Sequence, residues 1–414
     1  YLGNCVSQVD PYGNETRLDY DAFSRPITTY LPPVANEEGQ QVTPILHTKY
    51  NIAGYPIEKI DAKGNTTAME YNIRGQPTKI IYPDGTFERF FYRLDGKLCL
   101  KRSREGVRTV YELDAIGRIL SETISSTDGS LPKVTRYTYN NSQLTCLTDS
   151  EGVETHYTYD GAGRLTFTVK ENKRTQTIYD SLGRPAELRE WYGEAEEEYR
   201  ASFKEYDAAD QVLCERVQDA EGNLLSETRY EYDTNGNQTL VQNGDQITTT
   251  LYNLHNNPVK IINGAGETTY TQYERFVNEF GQSVLQSITT DALGFQTVDT
   301  YDSANQLVCS ERLSPYGKLL TRTINRYDLN GNLAEVTHAL VEEGEVKESV
   351  TTRRRYNVNN QMTEETEAVG TPEQRTTYYF YNALSQLHKK LRPSGQELLH
   401  SYDSLGRLQR LYTA

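Results

Sequence analysis

Tyr159-Asp160-Gly161-Ala162-Gly163-Arg164-Leu165, Tyr179-Asp180-Ser181-Leu182-Gly183-Arg184-Pro185 and Tyr402-Asp403-Ser404-Leu405-Gly406-Arg407-Leu408 are three copies of one phrase. Looser copies start at Tyr20, Tyr50, Tyr71, Tyr92, Tyr139, Tyr206, Tyr232, Tyr252, Tyr301, Tyr327, Tyr356 and Tyr381, and Leu113 takes the Tyr place in one more. Spacings come as roughly 20–21 residues or about 25–30, too short for a helical repeat of about 33 or more. Before each phrase, aromatic or apolar residues alternate with polar ones, as in Tyr137/Tyr139, Tyr157/Tyr159, Tyr230/Tyr232, Phe90/Tyr92 and Tyr379/Tyr381. Period two predicts a strand with one buried face.

Inside the phrase, Asp or Asn followed by small residues and Gly predicts a turn, because Asx side chains bond nearby backbone and Gly reaches positive φ freely. A polar then apolar pair (Arg164-Leu165, Gln211-Val212, Asn332-Leu333) opens the return strand. A second turn signal lies between phrases, at Asp10-Pro11-Tyr12-Gly13, Asp61-Ala62-Lys63-Gly64, Asp149-Ser150-Glu151-Gly152 and Asp291-Ala292-Leu293-Gly294. Each unit therefore reads as a β-hairpin joined to the next by another turn. Polar insertions at 125–133, 191–202, 218–227, 314–323 and 340–350 read as lengthened hairpins.

Some seventeen units give about thirty strands, which span around 145 Å at about 4.8 Å each. A single circuit of that length would be near 45 Å across, whereas about eight strands already close a barrel filled by side chains. The sheet must stay open, fold into two layers or wind around a hollow space. Continuous periodicity predicts one repeat array over residues 1–414, and strand signal running to both ends predicts a segment of a longer protein.

The apolar fraction of 36% is low, and Tyr (32) outnumbers Phe (10). Tyr buries a large ring while keeping a polar tip, which suits a half-buried sheet better than a thick core. A net charge of −15 argues against a nucleic-acid partner. No run of 18 apolar residues predicts a membrane-spanning helix. The run Arg353-Arg354-Arg355 reads as a solvated strand and Glu194-Ala195-Glu196-Glu197-Glu198 as a hairpin tip.

Five dispersed cysteines (Cys5, Cys99, Cys146, Cys214, Cys309) form no disulfide framework and read as buried structural thiols. Six histidines sit in different units without metal-ligand spacing. No nucleophile elbow or phosphate loop is present, and Asp–Gly turns whose acid alternates with Asn provide no recurring calcium ligand set. No catalytic residue, cofactor or metal site is expected, and the segment reads as non-enzymatic.

The repeated Tyr-Asp-x-x-Gly-Arg-Leu phrase resembles the YD repeats of the RHS family, which includes bacterial Rhs polymorphic toxins, the cocoon of the B and C components of Tc toxins and, more distantly, the animal teneurins. The resemblance implies an all-β fold: a long curved antiparallel sheet of YD-repeat hairpins spiralling into a hollow shell or part of one. It also implies a structural role for Tyr20, Tyr159, Asp160, Gly163, Arg164, Tyr179, Asp180, Gly183, Arg184, Tyr232, Tyr301, Tyr327, Tyr402, Asp403, Gly406 and Arg407. In bacterial members the shell encloses a C-terminal toxic domain, so the implied function is encapsulation by a secreted protein. The implied partners are its own toxin domain or flanking shell segments. The self-cleaving core region of those members has no counterpart here, and Asp10-Pro11-Tyr12-Gly13 matches the inter-phrase turn instead. A different expectation is a cell-surface adhesion or carbohydrate-binding protein, because exposed Tyr and Asn can stack on and hydrogen-bond sugars.

Overall fold

The computed structural model describes residues 3–125, 131–192, 195, 198–403 and 407–413. Every regular element among them is a strand. Of 37 strands, 35 join one antiparallel sheet; Val34–Ala35 and Gln41–Val42 form a small separate hairpin. Consecutive strands pair, as Glu154–Tyr159 pairs with Leu165–Lys170 and that strand with Lys173–Tyr179. The sheet does not close into a barrel: the first strand, Ser7–Val9, pairs with Glu15–Tyr20, and the last, Leu408–Thr413, with Glu397–Tyr402. The chain divides into two compact units. One comprises Tyr1–Val110, Ile124–Leu131 and Gln272–Ala414, and the other Tyr111–Thr123 and Pro132–Thr271.

Alternation sets the faces. Along Lys133–Asn140, Tyr137 and Tyr139 are half-buried while Arg136, Thr138 and Asn140 are exposed. The hairpins carry a feature that alternation does not reveal. At each phrase tyrosine the register slips by one residue: Thr158 faces Phe167, but Tyr159 faces Leu165. The same β-bulge recurs at Tyr20, Tyr179, Tyr232, Tyr301, Tyr327 and Tyr402. In the closing turn Asp160 N–H donates to the Arg164 carbonyl at 2.9 Å and Gly163 N–H to the Asp160 carbonyl at 3.0 Å, with Gly163 at φ 84°. The inter-phrase turn at Asp61–Asn65 has the same two bonds and Gly64 at φ 85°, yet the register beside it is unbroken, so the slip is a separate bulge that leaves one extra residue on the return strand. Several of these extra residues bond back across the slip, as Thr166 Oγ1 does to the Thr158 carbonyl at 3.1 Å.

The inserted hairpins at 218–227, 314–323 and 340–350 are lengthened strand pairs, the longest strand being Glu345–Tyr356. The insertion at 125–133 and the tip of that at 191–202 fall largely outside the described residues, as do Glu194, Glu196 and Glu197 of the acidic run.

Very little is buried. Among the described residues Val34, Ala201, Cys214, Val284, Ala334 and Val336 are the buried apolar ones, and Val284 is the one large side chain fully removed from solvent. A two-layer sandwich would bury alternate residues of both sheets in a core about 10 Å thick. The accessible surface is 25096 Å², against about 16,000 Å² for a compact monomer of this mass. Cohesion must therefore come from the hydrogen-bonded ladder and from contacts between repeats.

Candidate functional site

The phrase residues couple each hairpin to the next. In the second unit, Asp160 Oδ1 accepts from the backbone N–H of Ala162 (2.9 Å) and Arg164 (2.9 Å), and Oδ2 accepts from Arg164 Nε at 2.7 Å. The Arg164 guanidinium then lies 4.6 Å from the ring centroid of Tyr179, the tyrosine of the following phrase. The Tyr179 hydroxyl donates back to the Leu165 carbonyl at 2.8 Å. Asp180, Arg184 and Tyr206 repeat this arrangement. Backbone donors, led by Arg164 N–H and Arg184 N–H, hold the Asp160 and Asp180 carboxyls below their usual range.

The tyrosine hydroxyl link recurs along the chain. Tyr232 donates to Val212 (2.9 Å), Tyr327 to Leu307 (2.9 Å), Tyr356 to Leu333 (2.9 Å) and Tyr402 to Leu387 (2.7 Å). Tyr20 donates to the Cys5 carbonyl at 2.7 Å. Tyr159 and Tyr301 occupy the bulge position opposite Leu165 and Leu307. Asp403 accepts from Arg407 N–H (3.0 Å) and Arg407 Nε (2.8 Å), and Gly406 lies outside the described residues. Where Tyr55 takes the Arg place, its ring stacks on Tyr71 at 5.2 Å, keeping the contact between neighbouring phrases by other chemistry. Asp302 has Gln306 in place of Arg, and burial pushes its carboxyl above the usual range.

Within the first unit the sheet meets itself edge to edge. Inter-phrase turns of residues 10–104 lie against phrase turns of residues 278–385, and the bonded partners are 249 to 289 residues apart. Asn14 Nδ2 donates to the Ser283 carbonyl at 3.1 Å. Two turns are latched reciprocally: Lys63 Nζ reaches Asp328 Oδ2 at 2.9 Å, and Asn330 Nδ2 donates to Asp61 Oδ2 at 2.7 Å. Further along, Asn359 Nδ2 donates to Asp84 Oδ2 at 2.7 Å, and Arg104, paired with Asp84, donates to Ser385 Oγ at 3.1 Å. Asp328 is 3% exposed. Burial pushes its carboxyl up, but hydrogen bonds from Asn332 and Lys63 outweigh that effect and hold it below the usual range.

Two parts of this seam escape the repeat reading. Val277-Asn278-Glu279-Phe280-Gly281-Gln282 is a phrase with Val in the Tyr place; only its Asx–x–x–Gly–Gln core could have disclosed it. The excursion carrying the small Val34–Ala35/Gln41–Val42 hairpin inserts into the seam, where the Pro33 carbonyl accepts from Gln282 Nε2 (2.9 Å) and Ser303 Oγ (2.5 Å). At the seam the turn tips Phe280 and Leu384 are half-buried, whereas Leu182, at the same place in a phrase of the second unit, is exposed.

The cysteines depart from expectation. Cys214 is buried, Cys99, Cys146 and Cys309 are half-buried and Cys5 is exposed, because a thin sheet shelters few positions completely. Burial pushes the Cys214 and Cys309 thiols up. The arginine run lies on a strand with Arg353 and Arg355 exposed and Arg354 half-buried, and the three pair across strands with Glu335, Glu365 and Glu364 at 3.0, 3.0 and 3.6 Å.

The fold is that of known toxin-complex structures. The chain aligns with the crystal structure of TcdB2-TccC3-Cdc42 at TM-score 0.63 and 16% identity, covering 98% of this chain and 26% of that one. With TcdB2-TccC3 lacking its hypervariable C-terminal region the values are 0.64, 15%, 98% and 26%. The resemblance drawn from the Tyr-Asp phrase is thus borne out at the level of the fold. The chain spans about a quarter of the length of the structures it matches. No family model and no curated protein matches the sequence. Among the described residues no helix is long and apolar enough to cross a membrane.

Proposed function

We propose that this chain is a stretch of the wall of a hollow, non-catalytic shell that encloses a toxin or effector domain of a secreted bacterial protein. The carrying observation is a sheet with almost no packed core that is nevertheless sealed edge to edge by polar turn contacts. A sheet that meets its own edge some 270 residues on has the local geometry of a winding wall. A wall isolates its contents sterically and needs no catalytic group. Its Tyr- and Thr-rich faces, without a large apolar core, suit contents that must later be released.

The two compact units belong, in this reading, to one continuous repeat array, with flanking shell segments and a C-terminal cargo as partners. The fold likeness to TcdB2-TccC3 supports it. A small-angle scattering envelope of the chain tests it. A hollow curved density is expected, and a filled sandwich or straight strip would overturn the reading and put adhesion in its place. Glycan binding lost on Tyr-to-Ala changes along one strand face would point the same way as that negative result.

A further inference from the structure

The strands Gln143–Thr148 and Glu154–Tyr159 are adjacent, with Cys146 directly opposite His156 and Thr148 opposite Glu154. Directly opposed residues point to the same face with Cβ atoms about 4.5–5.5 Å apart, and a residue two places along shares that face. The Cys146 thiol, an imidazole nitrogen of His156 and a carboxylate oxygen of Glu154 accordingly lie within 4.8 Å of one another. His156 Nε2 is 3.2 Å from Glu154 Oε2. Cys146 is a free thiol.

We propose that Cys146, Glu154 and His156 form a binding site for a borderline divalent cation of the zinc class, on the exposed face of this hairpin. Bond lengths of about 2.3 Å to sulfur and about 2.0–2.2 Å to nitrogen and oxygen place tetrahedral ligands roughly 3.3–3.8 Å apart, within reach of small side-chain rotations. The thiolate selects against calcium and magnesium, which favour oxygen. Paired strands on both sides, Lys133–Asn140 and Leu165–Lys170, fix the backbone of all three residues, so the site is largely formed before the ion arrives. Charge balances, because one divalent cation meets one thiolate, one carboxylate and one neutral imidazole. Binding displaces the Cys146 thiol proton to solvent, so affinity rises with pH. The fourth coordination position faces water. This site depends on three side chains of one hairpin and stands apart from the containment reading.

The test is titration of the reduced 414-residue chain with Co²⁺. A thiolate-to-cobalt charge-transfer band should saturate at about one equivalent and be displaced by Zn²⁺. Cys146→Ser should abolish the band, and His156→Ala and Glu154→Gln should each weaken binding by about tenfold or more. His156 and Glu154 are exposed, so those variants report on the site even if the cysteine variant folds poorly. Absence of the band in the parent chain, its persistence in Cys146→Ser, or unchanged affinity in both His156→Ala and Glu154→Gln would overturn the proposal.

Discussion

Asp160, Arg164 and Tyr179 show how a three-residue rule builds the array: the acid closes a turn, the base clamps the acid and lies over the next ring, and that ring's hydroxyl ties back. A net intramolecular hydrogen bond is worth about 0.5–1.5 kcal/mol. Tyr356→Phe, which deletes the bond to the Leu333 carbonyl while keeping the ring, should therefore cost about 1 kcal/mol in denaturant unfolding. Glycine has a separate role. Gly75 sits at φ 78°, and a Cβ there would land on the Tyr55 ring. Gly75→Ala should cost more than the roughly 1–2 kcal/mol of left-handed strain alone. Ser24, at φ 61° in the equivalent place, should tolerate Gly with little change, read as a melting shift of opposite or negligible size. The phrase residues were legible in the sequence because they are local and repeated. The Arg-to-ring contact was not, since it joins residues of neighbouring phrases through the tertiary pairing of strands.

At the scale of the element, the hairpin was readable from alternation and turn chemistry, but the one-residue slip at each phrase tyrosine was not. It lies one pair outside the turn, and only the paired register displays it, since inter-phrase turns closed by the same kind of left-handed residue, such as Gly64, carry no slip. The seam follows from how turns meet. Lys63→Met leaves the Asp328 carboxylate buried without its cation and should cost about 1–3 kcal/mol. A double-mutant cycle with Asp328→Asn should give a coupling energy clearly above zero, whereas Ile52→Ser, at an exposed tip, should be within about 0.5 kcal/mol of the parent. The pH dependence has a definite sign. Asp328 and Asp84 have folded-state pKa values below their ordinary value of 3.8. Their contribution is complete above that value and is lost as pH falls from it through the folded values. Thermal unfolding of the parent should thus lose stability below about pH 4, and Asp328→Asn should flatten part of that loss. Asp302, raised by burial, acts in the opposite sense and stabilises more as pH falls.

For the whole molecule, large exposed surface and a scarcity of core have a thermodynamic signature. Heat capacity of unfolding follows apolar surface exposed, about 12–15 cal/mol/K per residue for globular proteins. Calorimetry of this chain should give a per-residue value below that range, with a urea m-value correspondingly low for its length. A value inside the globular range would indicate a packed core that the burial pattern lacks.

That the chain is a β-repeat array is legible in its residues alone, because period, turn residues and alternation are all written within about twenty residues and need no distant contact. Its Tyr-rich and apolar-poor composition likewise rules out a thick core. Which turns meet across some 270 residues, how the 31–44 excursion enters the seam, and that Cys146 lies opposite His156 became visible with the folded chain. The reason is physical. Which distant turns meet depends on the twist accumulated over the intervening strand pairs, and which side chains oppose each other depends on the loop length that fixes each pair's register, and neither is a property of the phrase alone.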